Sequence, residues 1–281
     1  MTDKTIISFK NVSKEYTLYK SDKARFKALF FKPKNPKIHH ALKDVSFEIK
    51  RGESVGIVGD NGAGKSTLLK MITGVTFPTS GEVEVDGKVA ALLELTAGFS
   101  AEMTGRENIY LKGYILGLED DYIKNIEEKI VDFAQLGDYI DQPVRTYSSG
   151  MKMRLGFAIN VNIEPDILVV DEALAVGDNA FKRKCKRKIK EIIDCGVTVL
   201  FVSHSTPSVQ EICDRAIYLR KGQLIFDGKT EETVKVYEEY KARDAEIKRQ
   251  KRAAQKARLD AAEAAEAERL AQKEKKQNQP K

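Results

Sequence analysis

The residues best suited to chemistry lie in one short run, Gly59-Asp60-Asn61-Gly62-Ala63-Gly64-Lys65-Ser66. It fits the spacing G-x-x-x-x-G-K-S/T in the setting that gives the spacing meaning, after an apolar strand and at the opening of a helix. Glycines let backbone N–H groups turn inward around phosphate oxygens, and the helix N-terminus adds partial positive charge. Such a loop places Gly59 through Thr67 around a nucleotide, with Lys65 on the β- and γ-phosphates and the Ser66 hydroxyl on Mg2+. A second run, Ile167-Leu168-Val169-Val170-Asp171-Glu172, is four apolar residues ending in two carboxylates. A buried strand puts Asp171 at its C-terminal end beside the phosphate loop, where it holds Mg2+ directly or through water. Glu172 is then the candidate to polarise the attacking water. Alone, an acid pair after a strand is an ordinary surface turn; downstream of a phosphate loop it reads as functional. His204 follows the apolar run Val197–Val202, at the end of a neighbouring strand, within reach of the γ-phosphate.

These residues need a scaffold, and the apolar patterning supplies one. Ile6–Val12 reads as a short strand, Ala41–Ile49 as a strand of period two, and Ser54–Val58 as a buried strand entering the glycine-rich loop. Lys65–Ile72 has helical spacing. The pattern turns helical from about Met103 to Asn162, strands return at Ile167–Val170 and Val197–Val202, and a hairpin spans Ala216–Phe226 with its turn at Lys221-Gly222. Strand, loop, helix and later apolar strands predict an α/β fold with a largely parallel core sheet, interrupted by an inserted helical part at roughly 100–163. After Tyr240 the composition shifts to Ala, Lys, Glu, Arg and Gln. Residues 241–281 therefore read as a charged tail, helical and solvated or disordered, beside a main domain over 1–240.

Composition narrows the classes. The chain has 281 residues, 42% of them hydrophobic, enough for a substantial core. No apolar stretch approaches the roughly 20 residues that span a bilayer, and Met1–Lys10 lacks the apolar region of a signal peptide. The chain is expected on the cytoplasmic side, with any membrane role exercised through a partner. Cys185, Cys195 and Cys213 show no metal-type spacing and read as reduced thiols. The net charge of +6 resides in the tail, where 13 basic and 7 acidic residues follow Tyr240 and the remaining 240 residues carry 35 of each sign. A neutral body with a basic tail argues against a nucleic-acid-binding domain.

Tyr147-Ser148-Ser149-Gly150-Met151 precedes a helical run and lies 20 residues before Asp171. Alone, Ser-Ser-Gly would be an ordinary helix cap. In this order, between the phosphate loop and the strand ending in Asp171, the chain resembles the ATP-binding cassette family, whose signature at this place is typically L-S-G-G-Q. The resemblance covers about Ile6 to Tyr240. It implies an ATP- and Mg2+-dependent ATPase built as a P-loop cassette, with an antiparallel β subdomain beside the core. It implies a head-to-tail dimer in which Ser148, Ser149 and Gly150 cap the nucleotide of the partner copy. It also places Tyr16 against adenine and Asp178 in the loop crossing the dimer interface. Three departures are similar to the ATPase subunits of teichoic-acid and O-antigen exporters: Y-S-S-G-M at the signature, Asp171-Glu172-Ala173-Leu174-Ala175-Val176-Gly177-Asp178, and Leu92 to Asn108 where a glutamine loop is usual. There Glu94 replaces the usual Mg2+-contacting glutamine, in a register open by a residue or two.

The implied partners are a second copy of the chain and two multi-spanning membrane permease subunits. The implied cargo is a lipid-linked cell-surface polysaccharide, teichoic acid first, because the short tail holds no glycan-binding domain. A drug or lipid efflux cassette is the alternative, and a soluble cassette acting on ribosomes or DNA a remoter one. Thr17–His40 carries seven basic residues against Asp22, with Phe26, Leu29, Phe30 and Phe31 between them. That mixture suits the headgroup layer of an anionic membrane, or equally a solvated loop whose aromatics pack on the body.

Overall fold

The computed structural model describes residues 4–19, 21–28, 30–31, 37–92, 95–171, 178–203 and 205–277, with side chains omitted at 27, 257 and 259–277. It divides into two compact units, Met1–Val234 and Lys235–Lys281.

The first unit holds two sheets. One is antiparallel, ordered β2 (Lys37–Lys50), β1 (Thr5–Leu18), β4 (Ser80–Val85). The other runs β5 (Val89–Ala91), β6 (Ile167–Asp171), β7 (Thr198–Val202), β3 (Ser54–Val58), β8 (Arg215–Arg220), β9 (Gln223–Lys229). Its pairings are parallel from β5 through β8, and only β9 is antiparallel. Strands β3 and β7 are buried at every position because they lie inside a covered parallel sheet, which is why they read as unbroken apolar runs. One core joins the two sheets through helix α2 (Lys65–Ile72): Ile7, Phe9, Leu42 and Val45 share a cluster with Ile57, Leu68, Leu69 and Val169. Phe9 and Phe47 stack at 4.6 Å between centroids within it.

The helical part is α3 (Gly105–Ile115), α4 (Asp120–Ala134) and α5 (Ser149–Asn162). Helix α3 starts at a complete capping box, in which the Thr104 hydroxyl accepts from the Glu107 amide and the Glu107 carboxylate accepts from the Thr104 amide. Helix α6 (Asn179–Asp194) packs against α4 and α5 through Phe181, whose ring meets Phe133 of α4 and Phe157 of α5, and α7 (Thr206–Ile212) follows β7.

Several elements differ from the sequence expectation. Strands β1 and β2 extend to Leu18 and back to Lys37, because register irregularities let the pair continue past the buried residues into a solvated ribbon with no apolar alternation. The six-residue helix α1 (Asp22–Lys27), capped by Ser21, lies within the basic segment between them. In the hairpin, Lys221 and Gly222 have φ of 49° and 81°, the paired positive angles of a tight β-turn. Helix α8 (Thr230–Gln277) begins in the first unit, where the buried Thr233 hydroxyl donates to the Ala216 carbonyl. The second unit is helical up to Gln277. Among the described residues, no helix is long and apolar enough to cross a membrane.

Candidate functional site

The phosphate-type loop leaves the C-terminal end of β3, the strand flanked by β7 and β8. Its shape needs glycine at two points. Gly59 has φ of 152°, and a Cβ there would stand 2.3 Å from the Leu219 carbonyl oxygen. Gly64 has φ of 111°, and its Cβ would meet the Ala41 carbonyl oxygen at 2.6 Å. Both are left-handed positions hemmed in by backbone, so any side chain would push the loop away from its neighbours. Two backbone bonds complete the support: Gly222 N–H donates to the Ala63 carbonyl at 2.9 Å, and Lys43 N–H donates to the Gly222 carbonyl at 2.7 Å. The loop is thus fastened to the hairpin turn, and the turn to β2.

Lys65 opens α2 with only 8% of its surface exposed. Its ammonium donates to the Gly59 carbonyl at 2.5 Å and the Asp60 carbonyl at 3.2 Å. The N-terminal N–H groups of α2, the loop residues Asp60 to Thr67, Asp171 and Val202 line one cavity of about 210 Å³. Asp171 reaches it from the end of β6, one strand removed from β3, with Val202 of β7 between them. A second cavity of about 460 Å³ shares Ser66 and Asp171 and extends between α2 and α3, past Lys70, Thr73, Lys112 and Leu116. A hydroxyl and a carboxylate converging on one space form an oxygen donor pair suited to a hard divalent cation such as Mg2+.

The other candidate residues sit apart from that cavity or outside the described residues. Tyr16 is on β1, with the Lys14 ammonium 5.2 Å from its ring centre. Ser148 is the N-cap of α5, its hydroxyl accepting from the Met151 amide at 3.2 Å, and Ser149 is exposed beside it. Gly150 has nothing nearer to a hypothetical Cβ than the Ser148 hydroxyl at 3.8 Å. These three residues offer a solvent-facing helix N-terminus remote in sequence from the loop. Asp178 caps α6 by accepting from the Phe181 amide at 2.8 Å and pairs with Arg154 of α5 at 2.7 Å. The Phe181 amide first, and the Arg154 charge with it, hold the Asp178 carboxyl below its usual range. Glu94, Glu172 and His204 lie outside the described residues. Sequence reasoning missed His39 and Ala41, which line the first cavity from β2. The available signal was the period-two strand starting at Ala41, which extended two residues back reaches His39.

The ABC transporter family matches residues 42–175, from β2 through the signature run to beyond β6. A Bacillus anthracis protein named as the teichoic acids export ATP-binding protein TagH is 48% identical over 83% of this chain, which spans 42% of that protein's length. The O-antigen export system ATP-binding protein RfbB of Klebsiella pneumoniae is 45% identical, the match covering 83% of this chain and 98% of RfbB. The ABC transporter protein AbcA of Aeromonas salmonicida is 47% identical over 83% of this chain and 75% of its own. Among solved structures, a dimeric post-hydrolysis state of the ATP-binding cassette MJ0796 bound to ADP and Pi superposes with a TM-score of 0.64. It is 24% identical and covers 80% of this chain and 98% of that one, a likeness of fold. The chain belongs to the ABC transporter family, and its fold is the family's ATP-binding cassette.

Proposed function

We propose that the chain is the ATP-hydrolysing subunit of an exporter moving a lipid-linked cell-surface polysaccharide, teichoic acid first, across the cytoplasmic membrane. The observation that carries the reading is the convergence of the glycine-dependent loop, Lys65, Ser66 and Asp171 on one cavity. The cargo comes from relatives named for teichoic acid and O-antigen export at 45–48% identity. ATP is the substrate: its phosphates lie against the loop amides and the α2 N-terminus, and Tyr16 stacks on adenine. On binding, the Lys65 ammonium exchanges the Gly59 and Asp60 carbonyls for phosphate oxygens. Ser66 and Asp171 would hold Mg2+, which would supply charge neutralisation at the phosphates. Glu172 orients the attacking water, His204 bonds the γ-phosphate, and Glu94 adds an oxygen ligand.

Two copies work head to tail. The Ser148–Gly150 N-terminus of α5 in one copy caps the nucleotide of the other, and Asp178 faces the shared interface. Hydrolysis removes the bridge and the dimer opens. The permease docks over the second cavity, where Val75 presents an exposed apolar side chain beside Lys70 and Lys112. The chain acts at the cytoplasmic face, with the basic and aromatic residues of Thr17–His40, from Lys20 to Lys37, toward anionic headgroups. The test is gel filtration with ATP and Mg2+ alongside phosphate release. Glu172→Gln should bind ATP, accumulate as a dimer and turn over at least about a hundredfold more slowly. Wild-type turnover in that variant would remove Glu172 from its role.

A further inference from the structure

We propose that His39 is a nucleoside-contacting residue, forming with Tyr16 an aromatic wall at the base end of the ATP site. This rests on the reading of the cavity as the nucleotide site. Tyr16 and His39 are direct partners in the antiparallel β1–β2 pair, within the consecutive register Glu15 with His40, Tyr16 with His39 and Thr17 with Ile38. Residues directly opposite one another share a face of the sheet with Cβ atoms about 5 Å apart. The alternate face is taken by their neighbours, where His40 Nδ1 and the Glu15 carboxylate meet at 3.1 Å. His39 therefore stands on the Tyr16 side, and it lines the cavity together with the loop residues Gly62 to Thr67.

The position of His39 relative to the loop is fixed by backbone. Two residues on, the Ala41 carbonyl lies against Gly64 and Gly222, an approach that only glycine at both places permits. The Lys43–Gly222 and Gly222–Ala63 bonds tie the same stretch of β2 to the loop. His39 lines the cavity with the loop residues and Tyr16 does not, so His39 stands nearer the loop than Tyr16 does. A nucleotide with its phosphates in the loop and its base toward Tyr16 must pass the imidazole with its nucleoside portion.

The test is titration calorimetry on the full chain with Mg2+, using ATP and inorganic tripolyphosphate, which has no base or sugar. His39→Ala should weaken ATP about fivefold, an ordinary contribution for one aromatic contact. It should leave tripolyphosphate within about twofold, and His39→Phe should restore ATP affinity to within about twofold of wild type. Wild-type ATP affinity in His39→Ala would overturn the proposal, as would equal losses on both probes or failure of His39→Phe to rescue. Lys65→Ala separates this from the reading beneath it. If Lys65→Ala binds both probes as wild type does, the phosphate site itself is misplaced and the proposal falls with it.

Discussion

Gly64 shows how a single atom's room decides a site. Its φ of 111° already excludes most side chains, and the Ala41 carbonyl occupies the space a Cβ would need. Gly64→Ala should therefore destabilise the chain by about 1–3 kcal/mol, seen as a lowered Tm, and reduce ATP binding more than its small size suggests. The loop's composition and spacing were legible in the sequence because chemistry at phosphates demands them locally. The Ala41 and Leu219 carbonyls that make those glycines obligatory come from distant strands, and no local pattern announces them. Asp166 offers a residue-scale test by pH. It accepts from the Lys88 amide at 2.9 Å and pairs with Arg51 at 2.7 Å. The amide first and the guanidinium second hold its carboxyl below the usual range. A depressed native value favours the ionised folded form, so this contribution is present above about pH 4, the unfolded value, and is lost as pH falls through the native one. Asp166→Asn should lower Tm at pH 6, and the difference from wild type should shrink toward pH 2.5.

Elements here are held by buried polar bonds at their ends as much as by apolar faces. Asn108, fully buried in the first turn of α3, donates from Nδ2 to the Ser100, Met103 and Thr104 carbonyls and accepts at Oδ1 from the Ser100 amide. It pins the loop leading from the second cavity into the helical part. Asn108→Ala leaves those groups unpaired, and urea unfolding should show a loss of about 2–3 kcal/mol. Further along α3 and α4, Arg106 bonds Glu127 and lies 2.8 Å from Asp141, while the Tyr110 hydroxyl donates to Glu127 at 2.5 Å. Burial pushes the Glu127 carboxyl up, and Tyr110 and Arg106 together overcome it and hold it low. The helical part was legible as a turn in pattern from about Met103 to Asn162, whereas the Thr104–Glu107 capping box that starts α3 was not read from the sequence. Strands β4 and β5 were not: β4 is exposed at its start and only half-buried at its valines, and β5 has three residues. Their strand character comes from partners β1 and β6, not from their own sequence.

At the scale of the whole molecule, the chain places one nucleotide site at the C-terminal ends of its parallel strands and a separate helix N-terminus at Ser148. In the proposed head-to-tail dimer, the two halves of a working ATP site meet only when two copies do. A mixed dimer of Lys65→Ala and Ser148→Arg chains should thus contain one site with both defects and one intact, and should retain activity that neither variant has alone. The order of motifs was legible from the sequence because each has its own local signature. The face proposed for a permease was not, since the exposed Val75 lines the second cavity beside Lys70 and Lys112, residues that only the fold brings together. The most direct test is the ATP hydrolysis rate of the chain reconstituted with its membrane subunit, with undecaprenyl-linked glycopolymer or with small amphipathic drugs added. The account predicts stimulation by the lipid-linked polymer alone, abolished by Lys65→Ala. Hydrolysis indifferent to the polymer, or stimulated only by the drugs, would contradict it.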